Sequence, residues 1–158
     1  MAEKKSQFVI FRLGDETFGV SLDNVIEVIK KENITDVPRA LGFVEGIIHL
    51  RNRVIPIIDL KNRFNIIEIE EEKDENDSKK SSKKIIITVI NKRYVGFVVD
   101  EVFKVITLDS SSIDTPATGQ KSGRDYVKGI AKVDDQLIVL IDSNKILSLE
   151  EQHQIKSI

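Results

Sequence analysis

The feature that most constrains this chain is that it repeats itself. Residues 19–29, GVSLDNVIEVI, align without a gap on residues 96–106, GFVVDEVFKVI, and five of the eleven pairs are identical. Residues 43–59, FVEGIIHLRNRVIPIID, align on 126–142, YVKGIAKVDDQLIVLID, with Val44/Val127, Gly46/Gly129, Ile47/Ile130 and Asp59/Asp142 identical. The offset is 77 in the first block and 83 in the second, which puts six extra residues between the blocks of the second half, in the polar loop around 115–124. Two copies of one unit of about 60 to 70 residues follow. Composition says what the unit is made of. There are 24 Ile and 16 Val among 158 residues, side chains stiff at χ1 and suited to a pleated, half-buried surface. An all-β unit of that size closes most economically as a small barrel, because closure removes exposed sheet edges.

Local patterning marks strands at Gln7–Leu13, Thr17–Ser21, Val25–Ile29, Phe43–Leu50 and Arg53–Ile58, then Ile85–Asn91, Tyr94–Val99, Val102–Leu108 and a hairpin over Tyr126–Ile141. Val28 and one of Val25 and Ile26 are expected to point inward. Arg51-Asn52 is a tight turn in which Asn52 tolerates positive φ. Asp59 is expected to cap a short helix through Phe64, and Asp142 or Ser143 a closing helix through Glu151. Pro56 cannot donate to a ladder and is expected at an edge or bulge. Gly46 and Gly129 share one repeat position, which points to crowded backbone. Residues 68–84, EIEEEKDENDSKKSSKK, carry seven acids, a Ser/Lys tail and one apolar side chain, the composition of a mobile charged insertion.

The repeat also exchanges charge. Glu27 aligns with Lys104 and Arg51 with Asp134, so the same two positions carry opposite signs in the two halves. If those positions are neighbours, each half holds an ion pair of reversed polarity.

Several function classes find nothing to build on. Lys plus Arg (24) and Asp plus Glu (26) nearly cancel, unlike the basic excess of a duplex-DNA binder. With no Trp, seven Phe and two Tyr, stacking platforms for single strands are missing. There is no cysteine, and His49 and His153 stand far apart, so no metal site, cofactor site or catalytic residue is expected. No G-x-S-x-G, G-x-G-x-x-G or P-loop occurs. An SH3-like RNA-binding module would have only Lys79, Lys80, Lys83 and Lys84 as a basic patch, with no aromatic among them. No apolar run reaches the ~20 residues of a membrane span, and the first six residues lead into a strand pattern, so a cytoplasmic location is expected.

The run GFVEGIIHLRNRVIPIIDL at 42–60 resembles the signature Gly-hydrophobic-Asn-Leu-Arg-Gly-x-hydrophobic-Ile-Pro-hydrophobic-Ile-Asp-Leu of CheW-type chemotaxis coupling proteins. Phe11-x-Leu13 with Phe18-Gly19-Val20, Val25-x-Glu27-Val28, residues 95–102 and Gly129-Ile130-Ala131 are similar to that family too. His49-Leu50-Arg51-Asn52 departs from it at the two positions flanking Leu50-Arg51, and the 68–84 insertion is long for it. The resemblance implies an all-β fold of two SH3-like five-stranded barrels, related by the repeat, with short helices including one at the C-terminus. It implies a single CheW-like domain over 7–149, two intertwined barrels with repeats at about 14–66 and 85–149.

The resemblance further implies a non-catalytic adaptor at receptor arrays, touching the membrane only through receptors. Its implied partners are the regulatory domain of the CheA histidine kinase and the signalling tip of a chemoreceptor (a methyl-accepting chemotaxis protein). A CheW-like paralogue serving a dedicated receptor–kinase system outside chemotaxis is the neighbouring reading. The residues carried over as partner-binding are Val25, Glu27, Val28, Gly46 and Arg51, with Val99, Asp100 and Val102 matching the region that lines the family's groove. For the valines, sheet core explains the residue type equally well.

Overall fold

The computed structural model describes residues 5–31, 34–35, 44–64, 66, 83–115 and 126–155. The strands are β1 (Lys5–Leu13), β2 (Glu16–Ser21), β3 (Val25–Lys30), β4 (Gly46–Leu50), β5 (Arg53–Asp59), β6 (Lys84–Ile90), β7 (Arg93–Val99), β8 (Glu101–Asp109), β9 (Ile113–Asp114), β10 (Val127–Val133) and β11 (Gln136–Ile141). Three short helices are α1 (Leu60–Arg63), α2 (Ser143–Ile146) and α3 (Leu149–Ile155). The strands form two sheets, in the orders β8-β1-β2-β11-β10-β9 and β3-β6-β7-β5-β4.

Sheet and repeat do not coincide. Each half gives its first hairpin to the sheet built from the other half's later strands: β1–β2 join β8 to β11, and β6–β7 join β3 to β5. The repeat read by itself suggests a unit closing on its own strands, while the resemblance implies intertwined ones. The exchange instead uses two parallel contacts, Phe18 opposite Val139 and Ile57 opposite Gly96.

Both sheets curl until their edges meet. Beyond β3 the chain swings back so that Thr35 and Ile47 exchange both backbone hydrogen bonds, each 2.9 Å. In the other sheet the chain beyond β8 returns as β9, pairing Asp114 with Ile130, which stands in Ile47's place in the second repeat. This two-residue strand, inside what reads as a polar loop from Asp109, makes the first sheet six-stranded where five were expected. Too short to show alternation, it exists because the seam needs closing.

Three apolar clusters fill the space. Phe8, Ile10, Leu108, Ala131, Ile138 and Leu140 pack within the first sheet, and Ile48, Ile55, Ile57, Ile85, Ile87 and Val98 within the second. A larger central cluster takes Phe11, Phe18 and Val20 from one sheet and Ile58, Phe97 and Val99 from the other, with Ile146 and Leu147. Burying this aliphatic surface is the main force holding the sheets to each other. Pro56 lies in β5, an interior strand rather than an edge. Its partner Ile47 spends both backbone groups on Thr35, so the Ile47–Pro56 pair needs no hydrogen bond across β4–β5. The insertion at 68–84 lies outside the described residues up to 82, and its Lys84 opens β6. Among the described residues no helix is long and apolar enough to cross a membrane.

Candidate functional site

The candidate residues of the first half converge on the seam between β3 and the β4–β5 hairpin. That hairpin turns on two residues, Arg51 (φ 50°) and Asn52 (φ 65°), both left-handed. Such a turn matches the right-handed twist of its strands, and Asn tolerates the conformation where most residues resist it. The turn aims Arg51 back across the seam, where Nη2 donates to Glu27 Oε2 at 3.3 Å. The Arg51 side chain is 77% exposed and that of Glu27 24%, so the pair is a surface feature of small energetic weight. His49 is exposed on β4.

On β3 the residues alternate, with Val25, Glu27 and Ile29 half-buried and Ile26, Val28 and Lys30 exposed. Val28 therefore points outward, contrary to the inward orientation expected for it. The ladder to β6 shifts register between Val25 and Glu27, and beyond that bulge Ile29, not Val28, reaches the core. Val25 packs against the central cluster. Gly46 is buried, and a Cβ there would run into Ile34 Cγ2 and stand 2.5 Å from the Thr35 carbonyl oxygen. Gly129 repeats the arrangement against Ile113 Cγ2 at 2.5 Å, so seam closure explains both glycines.

In the second half, Val99 is 1% exposed inside the central cluster and Val102 is half-buried against it. Asp100 is a structural knot. Its carboxylate accepts from the Gly14 N–H at 2.7 Å and from Lys61 Nζ at 2.9 Å, with Arg12 Nη1 at 4.0 Å. Burial alone would push this carboxyl up. The Gly14 and Lys61 hydrogen bonds and the charges of Lys61 and Lys83 outweigh it, and the group sits below the ordinary aspartate value.

The repeat extends to the surface. The exposed apolar side chains Ile26, Val28 and Val54 recur as Phe103, Val105 and Leu137 at the equivalent positions. The charge exchange is realised in one half: Glu27 and Arg51 pair, while among the described residues Lys104 and Asp134 form no ion pair.

Sequence reasoning missed the side chains of α1 and α3. Asp59 caps α1 as expected, accepting from Lys61 N at 3.0 Å, and Asp142 caps α2 through Asn144 N at 3.0 Å. The closing helix is broken in two, however. Ser148 and Glu151 form a capping box that starts α3, with Ser148 N to Glu151 Oε1 at 2.9 Å and Glu151 N to Ser148 Oγ at 3.1 Å. The spacing Ser148-Leu149-Glu150-Glu151 carried that signal. Nothing local announced that Lys61 reaches Asp100 and Arg63 reaches Glu151.

Among the described residues no three His, Asp or Glu side chains gather as metal ligands. What the site offers is strand surface: apolar side chains on the edge strands β3 and β8, flanked by charged ones.

The CheW-like domain family model matches residues 7–151. The chain is 33% identical over 146 residues to a chemotaxis protein CheW of Thermotoga maritima, covering 92% of this chain and 90% of that one. It is 31% identical to a chemotaxis protein CheW of Bacillus subtilis, covering 91% and 88%. The crystal structure of the scaffolding protein TtCheW from Thermoanaerobacter tengcongensis superposes with a TM-score of 0.77 at 35% identity, over 95% of this chain and 92% of that one. The repeat, the exchanged hairpins and these matches lead to one statement: this chain belongs to the CheW-like domain family.

Proposed function

We propose that this protein is a non-catalytic scaffold of chemotaxis signalling that bridges the signalling tip of a chemoreceptor to the regulatory domain of a CheA histidine kinase, at receptor arrays. The observation that carries the reading is the β3 seam. An exposed strip, Ile26 and Val28, sits beside a surface ion pair, Glu27–Arg51, in a chain that the CheW-like family model matches over residues 7–151. An apolar strip with a charged border at a sheet edge suits protein partners, the apolar part giving affinity and the charges orientation. Val28, Glu27 and Arg51 are the contact residues of this reading. Val25, Val99 and Val102 belong to the central cluster, Gly46 to the closed seam and Asp100 to its own buried contacts, so in this reading they serve the framework of the fold.

The test is a binding titration of the whole chain against a CheA regulatory domain and a receptor signalling tip, with Glu27→Lys and Arg51→Glu alongside. Saturable binding to both is expected, with at least one variant weaker by about tenfold. Melting temperatures should stay nearly unchanged, since an exposed pair contributes only ~0–1 kcal/mol. Binding to neither partner by well-folded protein would sink the proposal. A large fall in melting temperature for Arg51→Glu would make Arg51 structural instead.

A further inference from the structure

The two exposed strips are equivalent in the repeat but are held in different ways. β8, which carries Phe103 and Val105, starts from the knot described above. Asp100 gives its carboxylate to Gly14 N and Lys61 Nζ and its own N–H to the Arg12 carbonyl at 3.0 Å, while Arg12 Nε reaches Glu101 Oε2 at 3.5 Å. The ladder to β1 then runs over eight pairs, from Arg12–Glu101 to Lys5–Asp109. β3, which carries Ile26 and Val28, starts from Asp23. This residue is exposed, and among the described residues its carboxylate has no hydrogen bond or ion pair. Its N–H alone is held, by Ser21 Oγ at 3.3 Å, and the ladder to β6 has five pairs.

The substitutions behind the difference are specific. Where the knot has Arg12, Gly14 and Lys61, the equivalent positions of the second copy hold Val89, Asn91 and Asn144, so no cation faces Asp23 from them. Lys61 is itself buried, and its ammonium is tied to a carboxylate that is 10% exposed, a contact screened far less than one at the surface.

We propose that the Asp100–Lys61 knot makes the two strips mechanically unequal: the Phe103–Val105 strip on β8 is a preformed surface, and the Ile26–Val28 strip on β3 is a compliant one that opens locally. Local opening free energies vary across a fold with such differences in anchoring, and adaptable binding elements come from the weakly held end. This inequality belongs to the free protein and does not depend on which partner either strip meets.

Amide hydrogen exchange on the full chain without partner tests it. The β3 amides bonded to β6 should exchange about tenfold or more faster than the β8 amides bonded to β1. In the double variant Lys61→Met/Asp100→Asn, which removes both charges of the pair together, β8 exchange should accelerate towards the β3 rate while β3 stays as it was. Asp23→Asn should change neither strand. Should the double variant not fold, Lys61→Gln carries the test with the same expectation at smaller amplitude. Equal protection of the two strands in the unmodified chain overturns the proposal. So does a folded variant in which β8 is unaffected, or one in which both strands accelerate alike, since that is global loosening. None of these outcomes bears on the bridging reading, which binding alone decides.

Discussion

Arg63 Nε donates to the carbonyl oxygen of Ile146 at 3.1 Å, and Ile146 is the residue that stands in Arg63's own place in the second repeat. The two helices that end the two halves, α1 and α2, thus meet across the relation that generates the fold. The rest of the guanidinium goes further along the chain, with Nη1 to Glu151 Oε2 at 2.8 Å and Nη2 to Glu151 Oε1 at 2.5 Å. Glu151 is also the capping residue of α3, so one carboxylate starts the last helix and fastens it to α1. Lys61, two residues earlier, holds Asp100. Helix α1 has only four residues, yet two of them carry cations that reach distant parts of the chain, Lys61 to Asp100 and Arg63 to Ile146 and Glu151.

Removing either end of the Arg63–Glu151 contact should loosen the C-terminal helix without unfolding the sheets. Arg63→Ala gives up three charge-assisted hydrogen bonds, but the side chains are 30% and 17% exposed, so water replaces part of what is lost. The expected cost is about 1–2 kcal/mol for each single variant by urea unfolding. The Arg63→Ala/Glu151→Ala double variant should cost less than the sum, with a coupling of at least ~0.5 kcal/mol. A cycle that closes additively would mean that the contact contributes nothing to the folded state in solution.

Alanine at Gly46 and at Gly129 should both destabilise, and unequally. At Gly46 the added methyl meets Ile34 Cγ2 and stands 2.5 Å from the Thr35 carbonyl oxygen. That carbonyl cannot move without straining its bond from Ile47 N, which closes the seam. At Gly129 the nearest atom is the Ile113 methyl at 2.5 Å, and the Asp114 carbonyl is further off at 3.0 Å. Overpacking of this kind costs about 1–3 kcal/mol, and Gly46→Ala should fall at the upper end, Gly129→Ala at the lower. Thermal melts of the two variants read the order directly. Any loss of partner binding by Gly46→Ala should then track the loss of folded protein, because the glycine is buried and presents no side chain to a partner.

The repeat made most of this fold legible before any coordinates. Strand positions, the Arg51-Asn52 turn and the Asp59 and Asp142 caps all follow from local pattern, where period and turn chemistry act over a few residues. The exchange of hairpins between sheets left no such mark, since β1 and β2 are patterned alike whichever edge receives them. β9 was missed because two residues carry no alternation, and the outward Val28 because a bulge inverts the strand's faces without changing its sequence. Within the candidate site, the charge exchange located the Glu27–Arg51 contact from sequence alone. The exchanged pair Lys104 and Asp134 does not repeat the contact, forming no ion pair among the described residues. Asp100 was singled out for its motif position, whereas its partners Gly14 and Lys61 lie 86 and 39 residues away, visible only once the chain is folded.

Asp100 should also leave a signature in acid. Its carboxyl titrates below the ordinary aspartate value in the folded chain and near 4 in the unfolded one. A carboxyl depressed on folding binds fewer protons in the native state, so stability rises with pH through this range. The contribution is complete above about pH 5 and drains away as pH falls through 4 and then through the lower folded value. Asp100→Asn removes the titration and the charge together. At pH 7 the variant should be less stable by about 1–3 kcal/mol, since it loses charge-assisted hydrogen bonds and leaves the buried Lys61 ammonium without this carboxylate. Between pH 5 and pH 2 the two urea midpoints should converge, because protonated Asp100 is no better a partner for Lys61 than asparagine is. Asp23→Asn, at the equivalent but exposed position, should run parallel to the unmodified chain throughout. If Asp100→Asn also ran parallel down to pH 2, the Asp100 carboxylate would hold no more favourable charge interactions folded than unfolded, and the Lys61 contact would be packing alone.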